Sequence, residues 1–327
     1  MSFLPDLVSK GDLSAEAREF LKFTWFGDLA CSSGPHYQRG ERRPLEEILT
    51  DVEKGHSDDL VENLACWALK DDLPEEISIP SLFALCHRFR RLIREHYDEN
   101  PTRYSPDYPD LFAAQSLNTY YNVIVDHSNC GGAMRSGLLG YGGVGDGDHL
   151  KLISMTHLHP EAVSGAFAVL YAVRAAKEGS PPDVIREEAL DGARAGTSAV
   201  EMLIVESGYE LPPVQGIADR MASVFLADDP LWDVDDMETE GIETRFVIPA
   251  AVLLALRALE QTPSSALRYL VEETITIGGD PDTIGSISLG VAGAALGRPL
   301  SREIDALLST FEFGPSLIPS FLDTPST

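Results

Sequence analysis

Apolar residues recur along this chain at helical spacing, and the recurrence predicts one helix after another. Residues 14–25 place Phe20, Leu21 and Trp25 at that spacing, and Ser14 stands where an N-cap belongs. Residues 80–97 open on Pro80 and set Leu82, Leu85, Phe89 and Leu92 roughly on one face. Residues 160–177 open on Pro160 and run apolar through Val163, Phe167, Leu170 and Val173. Residues 60–69, 183–206 and 246–260 read the same way. In 281–296, Ile284, Ile287, Gly290, Val291 and Ala294 suit close packing between helices. No long stretch alternates with period two, and no Asn-Gly or Asp-Gly pair separates β-branched runs. The pattern therefore predicts an all-α fold. The Gly-rich segment 140–147 and the acidic segment 227–241 read as loops, and neither divides the chain cleanly. The glycines of 140–147 follow no predicted strand, so they are poor support for a dinucleotide-binding βαβ unit. There is no internal repeat.

Composition adds function classes that can be set aside. Of the 327 residues, 44% are hydrophobic and 24% charged, which excludes a disordered chain and supplies ample core. Lys and Arg number 25 against 52 Asp and Glu, a formal charge of −27. Such a surface repels phosphate backbones and anionic lipid, so neither a nucleic-acid duplex nor a membrane is an expected partner. Most of the acid excess reads as solubility. A small anionic ligand remains compatible, because a bound cation reverses the local field. The four cysteines, Cys31, Cys66, Cys86 and Cys130, contain no CxxC pair and read as reduced, partly buried thiols. No basic-then-apolar leader opens the chain, and no apolar run reaches about 18 residues. A cytoplasmic protein is the expectation.

Two acidic clusters carry the candidate chemistry. In Gly278-Gly279-Asp280-Pro281-Asp282-Thr283, two glycines permit a tight turn, and two carboxylates and a hydroxyl then meet the start of a helix. Asp280, Asp282 and Thr283 can converge on one point as hard oxygen ligands for Mg²⁺, Mn²⁺ or Ca²⁺. The same residues are equally at home as helix caps. Ser57-Asp58-Asp59 repeats the arrangement before residues 60–69, with Glu62 strengthening the capping reading. Six oxygens from two helix starts would suffice for a two-metal site, since a divalent cation is the ordinary way to hold several carboxylates together. The small residues of 128–135 allow a ligand or another backbone to approach, or else form a turn packed under the core. Thr156-His157-Leu158-His159-Pro160 holds a histidine pair before a helix. Asp233, Asp235 and Asp236 lack the glycine and distal glutamate of a calcium loop and read as solvated.

These motifs, in this order, resemble those of the ADP-ribosylglycohydrolases, including the dinitrogen-reductase-activating glycohydrolases. The family's Gly-Gly-Asp-Thr-Asp-Thr-Ile signature is matched by residues 278–284, and its Thr-Asp-Asp-Thr by Ser57-Asp58-Asp59-Leu60. Gly132-Ala133-Met134-Arg135 matches a central segment, 156–160 its Thr-His-x-His-Pro, and Gly27-Asp28 its early Gly-Asp turn. The resemblance spans about residues 20–300. It implies one all-helical domain over residues 1–327 with a binuclear cleft holding two divalent cations, Mg²⁺ or Mn²⁺; a monomer is the separate expectation. The implied ligands are Ser57, Asp58, Asp59, Asp280, Asp282 and Thr283, with Asp58, Asp59 and Asp282 as candidate catalytic carboxylates. His127, Ser128, Cys130, Gly131, Gly132 and His157 would line the ADP-ribose cleft. The implied activity is hydrolysis of the bond between ADP-ribose and a protein side chain or small molecule. The alternative is a non-hydrolytic ADP-ribose binder or immunity-type protein of the same fold. Three departures stand out: Leu60 replaces a threonine, Pro281 replaces a threonine between two ligands, and Pro35 stands where many members have a glutamate.

Overall fold

The computed structural model describes residues 13–32, 40–51, 59–99, 114, 116–208, 210, 216–231, 234 and 243–310, without side chains at 51, 59, 94–99 and 308–310. Among these, fourteen α-helices form, and the sole β feature is an isolated antiparallel bridge between Asn129 and Glu243. In chain order they are α1 (Ala15–Cys31), α2 (Leu45–Asp51), α3 (Asp59–Leu69), α4 (Ile79–Glu99) and α5 (Leu117–Asp126). Next come α6 (Gly131–Tyr141), α7 (Asp146–Ser154), α8 (Pro160–Lys177), α9 (Pro182–Glu206) and α10 (Ile217–Ala227). The last are α11 (Thr244–Leu259), α12 (Pro263–Ile277), α13 (Pro281–Leu296) and α14 (Arg298–Thr310). The all-α expectation holds, and the helices expected over 160–177 and 281–296 coincide with α8 and α13.

Local chemistry explains the starts. Ser14 caps α1 by accepting from the Ala17 amide at 3.1 Å, and Pro160, Pro182, Pro263 and Pro281 lie in first turns, where an amide proton has no helical partner. α8 is buried nearly all round: it packs along α9 on one side and α6 on another, and it also meets α13. α13 lies in turn against α1 and α11. One contiguous apolar cluster runs from Leu13 to Ile304 through these contacts. All four cysteines are buried and free. No helix of the described residues is long and apolar enough to cross a membrane.

Three local expectations are corrected. The 140–147 loop is shorter: α6 continues to Tyr141 and α7 begins at Asp146, leaving only residues 142–145 between them. The small-residue segment 128–135 is not a turn throughout but enters α6 at Gly131. Gly27-Asp28 is not at a turn but inside α1. Gly27 faces Gly285 of α13, where a Cβ would lie 2.2 Å from the Gly285 carbonyl oxygen. The glycine therefore serves helix crossing rather than chain reversal. Within 227–241, α10 extends through Ala227, and Asp233, Asp235 and Asp236 lie outside the described residues, as does Pro35.

Candidate functional site

α12 ends by bonding the Gly278 amide to the Thr274 carbonyl at 3.1 Å. Gly278 and Gly279 then take φ values of 74° and 81°, a left-handed pair that side chains with a Cβ adopt only under strain. This reversal delivers Asp280 as the N-cap of α13, yet its carboxylate makes no capping bond. Instead Asp280 Oδ2 accepts from Cys130 Sγ at 2.9 Å, across 150 positions of sequence. Asp282 Oδ1 accepts from the Thr283 amide at 2.9 Å and so satisfies one first-turn amide of α13. Thr283 is buried, and its side chain favours the charged forms of both Asp280 and Cys130. The three ligand candidates of this segment are thus together.

Their electrostatics is crowded. Desolvation first, and then the Asp282 charge and a hydrogen-bonding contact with Asp282, hold the Asp280 carboxyl well above the usual carboxylate range. Two carboxylates sit this close when a proton is shared or a cation lies between them. Burial and then the Asp280 charge push the Cys130 thiol up, so it is a donor and not a thiolate. Behind this cluster lies α1. Burial first, and then the charges of Asp282 and Asp28, push the Cys31 thiol up. Asp28 is fully buried, which brings a third carboxylate to the rear of the site.

The segment 127–132 forms the adjoining wall. His127 follows α5, and Cys130 leads into α6. The Ser128 carbonyl accepts from both the amide (3.2 Å) and Oγ1 (2.6 Å) of Thr244 at the start of α11. His157 Nε2 is 2.6 Å from Asn129 Oδ1, and its ring lies 5.8 Å from that of His127. A Cβ on Gly132 would come within 2.9 Å of Ile153 and 3.4 Å of the His157 ring, so glycine lets α6 lie against the histidine. The expected cleft residues His127, Ser128, Cys130, Gly131, Gly132 and His157 therefore share one neighbourhood, joined to Asp280 through Cys130. His159 plays a structural part, since its Nδ1 accepts from the Glu161 amide at 3.2 Å and caps α8.

A buried polar chain stands behind His157. Arg135 donates to Glu62 Oε2 of α3 at 2.6 Å and to Thr156 Oγ1, and Thr156 Oγ1 lies 2.8 Å from His157 Nδ1. The two partners of the ion pair are 0% and 3% exposed at their side chains, so each needs the other. Burial, and then the nearby charge of Arg135, drop the His157 pKa well below its ordinary value and keep the ring neutral. Sequence patterning places Asn129 within the 127–132 segment but reveals neither its bond to His157 nor this use of Glu62 and Arg135. The one signal for the ion pair is the lone charged residue, Arg135, among the apolar and small residues of α6.

Of the other metal-site candidates, Ser57 and Asp58 lie outside the described residues, and Asp59 is described only as the first residue of α3. Among the described residues no group of three or more His, Cys, Asp and Glu side chains is placed to hold a metal. The donor set of the described half nonetheless suits a hard divalent cation: two carboxylates and a hydroxyl, with the carboxylates already crowded.

The model of the ADP-ribosylglycohydrolase family matches residues 42–303. The chain belongs to that family. The ADP-ribosylglycohydrolase match takes in both acidic clusters, the 127–132 segment and His157. A solved structure described as an "ADP-ribosylglycohydrolase-related protein complex" is 18% identical, with 89% of this chain and 96% of that chain covered at a TM-score of 0.49. The all-helical architecture is that of the family, whose members are glycohydrolases and generally metal-dependent.

Proposed function

We propose that this chain, acting as one domain, is a metal-dependent hydrolase that cleaves the glycosidic bond joining ADP-ribose to an acceptor. The observation that carries the reading is the crowding of Asp280 against Asp282, at a helix start that touches the 127–132 segment through Cys130. Ser57, Asp58, Asp59, Asp280, Asp282 and Thr283 would hold two divalent cations, Mg²⁺ or Mn²⁺. When bound, these supply Lewis acidity, a template for the ribose hydroxyls and a positive local field.

The chain's own residues do the rest. The first amides of α6, at Gly131 and Gly132, have no earlier helical turn to bond and would be donors to a diphosphate. His127, Ser128 and His157 shape the groove beside them. One carboxylate among Asp58, Asp59 and Asp282 would take the proton from the attacking water. The remaining negative charge favours the oxocarbenium-like transition state over the neutral glycoside.

The test is release of free ADP-ribose from arginine- and serine-linked substrates with Mg²⁺ or Mn²⁺ and with EDTA. Metal-dependent release, lost in Asp280→Ala/Asp282→Ala, is the expected result. Full activity in that double variant refutes the ligand assignment. Tight ADP-ribose binding with no release from any substrate assigns the chain to the binder class instead.

A further inference from the structure

His157 stands at the end of a polar chain whose purpose is not explained by stability alone. Arg135 Nη2 points at Thr156 Oγ1 and also lies 3.4 Å from His157 Nδ1. The threonine hydroxyl has a single proton and two acceptors in reach, His157 Nδ1 at 2.8 Å and the Ile153 carbonyl at 3.3 Å. A proton on Nδ1 would face the guanidinium donor and compete with it for the same threonine oxygen. An unprotonated Nδ1 instead accepts from the hydroxyl, and the guanidinium charge is then favourable to the lone pair. The ring proton is thereby driven to Nε2, 2.6 Å from Asn129 Oδ1. With Oδ1 committed to that bond, the amide nitrogen of Asn129 faces the other way. That nitrogen has no hydrogen-bond partner among the described residues, and the residue is partly exposed.

We infer that Arg135, braced by Glu62, is a positioning residue: through Thr156 it fixes His157 as the Nε2–H tautomer, and so aims the Asn129 amide nitrogen into the ADP-ribose groove as a donor. The inference rests on the groove assignment of the proposed function. It separates two roles within one relay. His157 is a rigid donor to Asn129 and not a proton acceptor for the reaction. Asn129 is the group that meets the ligand, and its orientation is set from α3 and α6, some distance behind the groove wall. Because Glu62 belongs to the helix that begins at Asp59, the same ion pair ties the groove wall to a helix whose first residue is a candidate metal ligand.

The tautomer can be read directly. In the uniformly ¹⁵N-labelled full chain, long-range ¹H–¹⁵N spectra report which imidazole nitrogen carries the proton, with His157→Gln supplying the assignment. The expected result is a protonated Nε2 and an unprotonated Nδ1 from about pH 6 to 8. Thr156→Val removes the relay with little change of volume, and it should mix the tautomers and weaken ADP-ribose binding about tenfold in calorimetry. Thr156→Ser keeps the hydroxyl and should restore both readouts. Arg135→Met with Glu62→Gln should act as Thr156→Val does, and the threonine pair decides the matter if that double variant does not fold. A wild-type His157 protonated at Nδ1, or as imidazolium, overturns the inference. So does a Thr156→Val chain with the tautomer and affinity of the wild type. A wild-type chain with the expected tautomer that takes up no ADP-ribose refutes the proposed function and leaves the relay standing.

Discussion

Replacing Gly27 with alanine probes the contact on which the candidate site is built. The new Cβ would lie 2.2 Å from the Gly285 carbonyl oxygen, 2.5 Å from its carbon and 2.9 Å from the Ser286 nitrogen. All three are backbone atoms of α13, so no side chain can swing aside. Ordinary contact needs about 3.5 Å, and α1 and α13 must therefore part by roughly 1 Å. Overpacking of this kind costs about 1–3 kcal/mol, while alanine's helix preference over glycine returns about 1 kcal/mol. A net loss of about 1 kcal/mol is expected in urea unfolding. The larger effect falls on catalysis, because Asp280, Asp282 and Thr283 open the helix that is displaced. A shift of about 1 Å in such a group costs on the order of 100-fold in rate. Gly147→Ala is the control. It sits in α7 with nothing within 4 Å of the added carbon, and it should be neutral or stabilising by up to about 1 kcal/mol. For Gly27→Ala, stability at or above that of wild type, together with undiminished ADP-ribose release, would refute the crossing geometry.

Three further outcomes are expected. His149 is fully buried, and burial followed by the Arg174 charge pulls its pKa down to about 3. The unfolded chain therefore takes up the proton first, and stability from this group is lost as pH falls below about 6.5, by about 2 kcal/mol between pH 7 and 5. Urea titrations of His149→Gln should lack that part of the acid slope, and an unchanged slope contradicts it. In EDTA at about pH 8, Asp282→Asn should stabilise the chain by roughly 1 kcal/mol by relieving Asp280, while shrinking the rise in melting temperature that Mn²⁺ gives the wild type. Differential scanning fluorimetry with and without Mn²⁺ reads both effects. Arg135→Met deprives the buried Glu62 carboxylate of this counter-charge and should cost about 3–5 kcal/mol in urea unfolding, part of which Glu62→Gln recovers.

The sequence was most readable where one local rule set the outcome. Pro160 and Pro281 mark the starts of α8 and α13 because their missing amide proton costs nothing in a first turn, and the apolar stripes fix the rest. Gly278 and Gly279 announced a reversal that the positive φ angles bear out. Glycine was ambiguous elsewhere. Gly27 and Gly132 have poor intrinsic helix propensity and read as turn residues, yet both lie in helices because a neighbouring element packs too closely for a side chain. The Arg135–Glu62 pair joins residues 73 positions apart, and nothing local to either predicts the other. Burial of the carboxylate of Asp28 is likewise a tertiary fact, since it follows only once α1 and α13 cross.

The double fastening of the Ser128 carbonyl by Thr244, with the Asn129–Glu243 bridge beside it, bears on the timing of encounters. A wall pinned across 116 positions of chain is braced against the start of α11. Uptake should then be a single bimolecular phase without a slower isomerisation behind it. With a formal charge of −27, the surface opposes the approach of a diphosphate at long range. Added salt should therefore quicken association, the reverse of the usual steering effect, while leaving the lifetime of the complex nearly unchanged.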